Sequence, residues 1–82
     1  KEYQTHMYLD RSGRKHVIES HIEDKQGNVI KSFPSSNNES HIAELRWDHT
    51  YENGYQVKDG IYTWFIKADD MLHSGTINDN LI

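Results

Sequence analysis

Eight residues, Ile61 to Ala68, constrain the fold more than any other part of the chain. Successive side chains of a strand point to opposite faces, so a strand here puts Tyr62, Trp64, Ile66 and Ala68 on one side. Ile61, Thr63, Phe65 and Lys67 then fall on the other. The aromatic and β-branched content suits a pleated, half-buried surface. Asp59-Gly60 before the stretch and Asp69-Asp70 after it supply turn chemistry. No window of the chain sustains the i, i+3, i+4, i+7 apolar pattern of an amphipathic helix, whereas period-two alternation recurs.

The same alternation predicts further strands. Tyr3, Thr5, Met7 and Leu9 alternate with Gln4, His6 and Tyr8, and Asp10-Arg11-Ser12-Gly13 then reads as a turn. Lys15 to Glu23 predicts a second strand, with Ile18, Ser20 and Ile22 on one face. Asp24 to Asn28 is a short hairpin connection with Gly27 at its left-handed position. Val29 to Phe33 returns and stops at Pro34, which has no N–H for a ladder. Pro34 to Ser40 reads as a polar loop, expected to be the least ordered part. Ala43, Leu45 and Trp47 mark another strand, Asp48 to Asp59 a long turn-rich connection, and Thr76-Ile77 a last strand. Six or seven short antiparallel strands at this spacing indicate an all-β fold of two packed sheets.

The chain has 82 residues, which fits one domain spanning 1–82. A chain this short buries about 60% of its unfolded surface, so its core is small. Hydrophobic residues are only 34% of the total, which leaves the two Trp, two Phe and five Tyr to supply much of the buried area. Without cysteine there is no disulfide framework, thiolate zinc site or cysteine nucleophile. A formal charge of −4 with no Lys/Arg run argues against nucleic acid. No apolar stretch approaches the roughly 20 residues of a bilayer-spanning helix, so membrane insertion is not expected. The chain opens at Lys1 rather than Met, as a piece of a longer polypeptide or a matured one would.

Two segments carry a family resemblance. Ile22-Glu23-Asp24-Lys25-Gln26-Gly27-Asn28-Val29-Ile30 resembles the I-x-D-x-x-G-x-V-I hairpin of bacterial immunoglobulin-like and fibronectin-like modules. Trp47-Asp48, Asn53-Gly54, Val57, Asp59-Gly60 and Tyr62-Thr63-Trp64 resemble the W-D-G…N-G-x-x-V-x-D-G-x-Y-x-W/Y signature of the same group. That group includes the Ig-like domain of the flagellar hook-capping protein and fibronectin-like modules of cell-envelope serine peptidases. It also includes the C-terminal domains of type IX secretion and gliding-motility proteins. The resemblance implies an Ig-like or fibronectin type III-like β-sandwich outside the bacterial cytoplasm, used for spacing, adhesion, sorting or assembly. His49 departs from the pattern, standing where the family has Gly. Lys1 to Lys15 lacks the P-N-G-D-G entry segment of the peptidase and type IX modules.

Physical roles for the motif follow without the family. Trp47 at a strand end caps a small core, with its N–H left for a partner near the surface. Asp48 accepts backbone N–H bonds from the following loop. Gly54 and Gly60 permit reversals, and Tyr62 and Trp64 fill one face.

Candidate chemistry is sparse. His16 and His21 are five residues apart, so on a strand they point to opposite faces and do not chelate together. His6, His41, His49 and His73 lack ligand spacing and read as solvated surface residues, which argues against a metal. Asp69-Asp70 with Asp48 or Asp59 is the one calcium candidate, and it lacks a D-x-D-x-D pattern. No G-x-S-x-G is present, and a domain this small has little room for a deep cleft. Neither an enzyme nor a cofactor is expected. Tyr51, Tyr55 and Phe65 are candidates for a carbohydrate platform, the reading of a sugar-binding accessory domain. Asn38-Glu39-Ser40 fits the glycosylation sequon.

The expectation is a non-catalytic interaction module of a bacterial secreted or cell-surface protein. Its partners would be proteins, met through an edge strand or the Asp48–Asp59 loop. The alternative is an assembly scaffold such as a hook-capping or fibre-like module.

Overall fold

The computed structural model describes residues 3–33 and 40–79. The residues 34–39 of the expected polar loop, with Asn38 and Glu39 of the sequon, lie outside them. The described chain is all-β: β1 (Gln4–Leu9), β2 (Ile18–Glu23), β3 (Val29–Phe33), β4 (Ile42–Trp47), β5 (Gly60–Ala68) and β6 (Met71–Asp79). These six strands form two antiparallel sheets, one of two strands in the order β1-β4 and one of four in the order β3-β2-β5-β6.

Turn chemistry sets the hairpins. Between β2 and β3 the Asp24 carboxylate accepts the N–H groups of Gln26 and Asn28, both at 2.9 Å. Gly27 takes the left-handed conformation there, at φ 87°. Between β5 and β6 the turn is Asp69-Asp70, because Ala68 pairs directly with Met71. Asp69 is left-handed at φ 56°, and its carboxylate accepts the Val17 N–H at 3.1 Å. Gly60, expected at a reversal, is instead the first residue of β5, paired with Asp79. The reversal belongs to Gly54, at φ 88°. β6 is also longer than Thr76-Ile77 implied, running nine residues against β5.

The inner faces interleave as the alternation requires. Ile18 and Ile22 of β2, Leu45 and Trp47 of β4, Tyr62, Ile66 and Ala68 of β5, and Ile77 of β6 form one buried cluster with Tyr8 and Val57. Trp47 is completely buried, its ring edge against Tyr62 with centroids 5.4 Å apart. In β1 the even-numbered residues turn inward. Met7 and Leu9 are therefore left 58% and 51% exposed on the outer face of the small sheet, beside Ile42.

The sheets differ in width, and ring contacts fix how they overlap. His6 of β1 stacks on Trp64 of β5 with centroids 4.5 Å apart, and Tyr8 of β1 meets His73 of β6 at 4.9 Å. β1 therefore covers β5 and β6. β4 lies over β5 and β2, and β3 extends one strand beyond it. The outer edge of β3 is protected by the loop after β4: Glu52 N–H donates to the Ile30 carbonyl at 3.0 Å, and Ser32 N–H donates to the Glu52 carboxylate at 2.8 Å.

Gly75 makes room for this arrangement. A Cβ there would lie 2.5 Å from Trp64 Nε1, which the His6 stack holds from the other side. Elsewhere in a strand, Gly→Ala gains several tenths of a kcal/mol in propensity; here overpacking costs about 1–3 kcal/mol instead. Urea denaturation of Gly75→Ala should show that loss, and Trp64→Leu in the same background should recover part of it.

Candidate functional site

The residues with the most chemistry gather at two opposite ends of the sandwich. At one end, β1 runs out into Asp10, β2 is approached through His16, and β5 turns into β6 at Asp69. His16 exchanges both backbone hydrogen bonds with Ser40 at the entry to β4, at 2.8 and 2.9 Å. Its ring is 1% exposed for a structural reason: His16 has the same parity as Ile18 and Ile22, so it continues the inner face of β2.

Both ring nitrogens of His16 are engaged. Nδ1 lies 2.7 Å from an Asp69 carboxylate oxygen and Nε2 lies 2.7 Å from an Asp10 carboxylate oxygen. Two such contacts are both hydrogen bonds only when both nitrogens carry protons, so the group is an imidazolium between carboxylates. The hydrogen bonds to Asp10 and then to Asp69 raise the His16 pKa above its ordinary value. Asp10 is held down to about 2, first by the Ser12 hydroxyl and then by His16. Asp69 is lowered chiefly by its bond to His16.

At the other end stands His49, the residue that departs from the family pattern. Its φ is 64°, the left-handed conformation that Gly adopts freely. The ring is buried against Trp47, and Nδ1–H donates to the Asp79 carboxylate at 2.8 Å. Asp79 is itself only 2% exposed. The connection beyond is a well-bonded loop. Trp47 Nε1–H donates to the Thr50 carbonyl at 2.9 Å, in the half-exposed loop that follows the strand. Asp48 accepts the Thr50 N–H and hydroxyl, and the hydroxyl lowers its pKa. Val57 N–H returns to the His49 carbonyl at 2.9 Å, and Asn53 caps the Tyr55 N–H at 3.0 Å.

Of the four histidines read as solvated, His41 and His73 are exposed, whereas His49 is buried and bonded to an aspartate and His6 is half-buried on Trp64. His16 is buried between two aspartates, and His21 stacks on Phe65 with centroids 4.7 Å apart. The signal available was parity: His16 shares a face with Ile18, and His49 shares one with Leu45 and Trp47. Of the motif residues, Asp24, Asp59, Gly60 and Tyr62 line one open groove of about 420 Å³ with Tyr51. Burial pushes Tyr62 up to about 12, and its hydroxyl donates to the Lys58 carbonyl at 2.6 Å. Asp24 and Gly27 shape the β2–β3 hairpin, and Trp64 packs between the sheets.

Other groupings are not brought together. Asp69 bonds His16 and Asp48 bonds Thr50, at opposite ends, so the proposed calcium aspartates do not converge. Among the described residues, no group of three or more His, Asp or Glu is arranged to hold a metal ion. Tyr51 packs on the core, Tyr55 projects from the loop, and Phe65 lies on the outer face of the large sheet, so they form no common platform. No helix among the described residues is long and apolar enough to cross a membrane. Comparison with protein-family models, with curated proteins and with solved structures finds no match for the chain.

A raised His16 pKa gives stability that is complete below the ordinary value of 6.5 and lost as pH rises through the folded value. The depressed Asp10 gives stability complete above 3.8 and lost as pH falls toward about 2. His6, lowered by burial, acts in the opposite sense to His16 near neutrality. Melting temperature measured from pH 4 to 9 should therefore fall more steeply on the alkaline side in the wild type than in His16→Asn.

His49→Gly separates strain from pairing. Gly relieves a left-handed cost of about 1–2 kcal/mol but removes the imidazole's hydrogen bond to the buried Asp79 carboxylate, a loss of about 1.5–3 kcal/mol, together with its packing on Trp47. Chemical denaturation should show net destabilisation, smaller than that of His49→Ala, which loses the same contacts and keeps the left-handed strain.

Proposed function

We propose that the chain is a non-catalytic β-sandwich module of the immunoglobulin-like or fibronectin-like type, belonging to a bacterial secreted or cell-surface protein. One observation carries the non-catalytic reading. The buried acid–histidine cluster is closed on itself across strand junctions, with both nitrogens of His16 held by carboxylates. A base so occupied has no lone pair to offer a substrate, and the cluster ties strands together instead.

The two-sheet antiparallel architecture and the ordered Trp47–Val57 loop agree with the motif resemblance. Between spacing, adhesion or sorting and the alternative of an assembly scaffold, the exposed outer face of β1 and β4 favours a role in contact with other proteins. Met7, Leu9 and Ile42 lie together there, Leu9 being paired with Ile42.

In-frame removal of this segment from its parent polypeptide in the native host tests the reading. The expected result is unchanged catalytic turnover by the rest of the parent, with loss of its secretion, surface attachment or assembly. Loss of turnover with normal surface display would overturn it.

A further inference from the structure

The edge of β4 that faces away from β1 has a defined hydrogen-bonding register. In an antiparallel ladder, residues that bond to one side alternate with residues that bond to the other. The His41 carbonyl accepts from Asp10, on the β1 side, whereas Ser40 exchanges both its bonds with His16 on the opposite side. Ile42, Glu44 and Arg46 therefore direct N–H and C=O to the same side as Ser40; the Ser40 hydroxyl bonds both groups of Ile42, at 3.2 and 2.7 Å, so Glu44 and Arg46 are the residues that present theirs to a guest. Among the described strands, none pairs with that edge beyond the His16–Ser40 bridge.

Beside this edge runs an open groove of about 410 Å³. Ile18, Phe33 and Ala43 give it an apolar floor, and Phe33 and Ala43 are only half-buried. The floor exists because β3 extends one strand beyond β4. That same step excludes the edge of a second sandwich, whose own larger sheet would meet β3. A single extended segment is not so obstructed.

We infer that the β4 edge is a strand-acceptor groove for an extended segment of a partner polypeptide, added antiparallel as a third strand of the small sheet. This inference rests on the interaction-module reading and names the kind of partner it takes. Residues of the guest opposite Ala43 and Leu45 face the apolar floor and are apolar. Residues opposite Glu44 and Arg46 lie on the outer face, where opposite charges on directly facing residues stabilise and like charges repel. Read from its N-terminus, the guest carries an acidic residue opposite Arg46, an apolar one, a basic one opposite Glu44, an apolar one, and a β-branched one opposite Ile42. Main-chain bonds give such an addition its affinity and the alternate side chains its selectivity.

The test uses the 82-residue chain and the capped peptide Ser-Glu-Val-Lys-Val-Thr-Ser, with a control in which Glu and Lys are exchanged. Saturable binding is expected by NMR titration, with slowed amide exchange at Glu44 and Arg46 and binding of the control at least about tenfold weaker. Glu44→Lys/Arg46→Glu, both on the exposed outer face, should reverse that preference without altering the fold. A well-dispersed spectrum with no binding of either peptide overturns the inference while leaving the module reading to its own deletion test. Protection along β6 or β1 instead, protection through self-association without peptide, or binding indifferent to the charge exchange also overturns it.

Discussion

A protonated imidazole held between two carboxylates is the tie on which the rest of this sandwich depends. Asp10 ends β1, His16 leads into β2 while bridging the entry to β4, and Asp69 turns β5 into β6. One ring thus joins segments from both sheets. The interaction is at the rim, with the Asp69 side chain 43% exposed, so the carboxylates keep part of their hydration while the ring is buried. That arrangement avoids much of the desolvation penalty that makes fully buried ion pairs weak contributors to stability. It also gives a small aliphatic core a directional constraint that packing alone does not supply.

Between the two ends, aromatic and imidazole rings do what branched aliphatic side chains do in larger sandwiches. His6 lies on Trp64, Trp64 lies on Gly75, and Trp47 turns its edge to Tyr62. Flat rings fill the space between sheets with few rotatable bonds, which limits the side-chain entropy lost on folding. The chain has few aliphatics to use otherwise. His6 is kept toward its neutral form by burial, in keeping with its place against an indole.

Much of this was legible in the sequence. The hairpin at Asp24–Asn28, the inner face of Ile18, Ser20 and Ile22, and the alternation of Ile61 to Ala68 follow from local turn chemistry and parity, and the structure has all three. The first half of β6 was not readable, because Met71 to Ser74 is exposed on both faces and so carries no alternation of hydrophobicity. The pairing of His49 with Asp79 joins residues 30 apart, and nothing local marks it. The His16 cluster was half legible: parity places the ring inside, but its partners Asp10 and Asp69 are set by which turns meet at one end. The groove beside β4 was hidden for a similar reason, since the unequal widths of the sheets arise from non-local strand pairing.

The His49–Asp79 bond has a mechanical consequence. Gln4 pairs with Trp47, and Asp79 reaches the residue two beyond it, so the first residue of β1 and the last of β6 leave the sandwich at the same end. Tension applied through those two points would peel β1 from β4 and β6 from β5 one rung at a time, instead of shearing whole ladders at once. Such a body yields at low force.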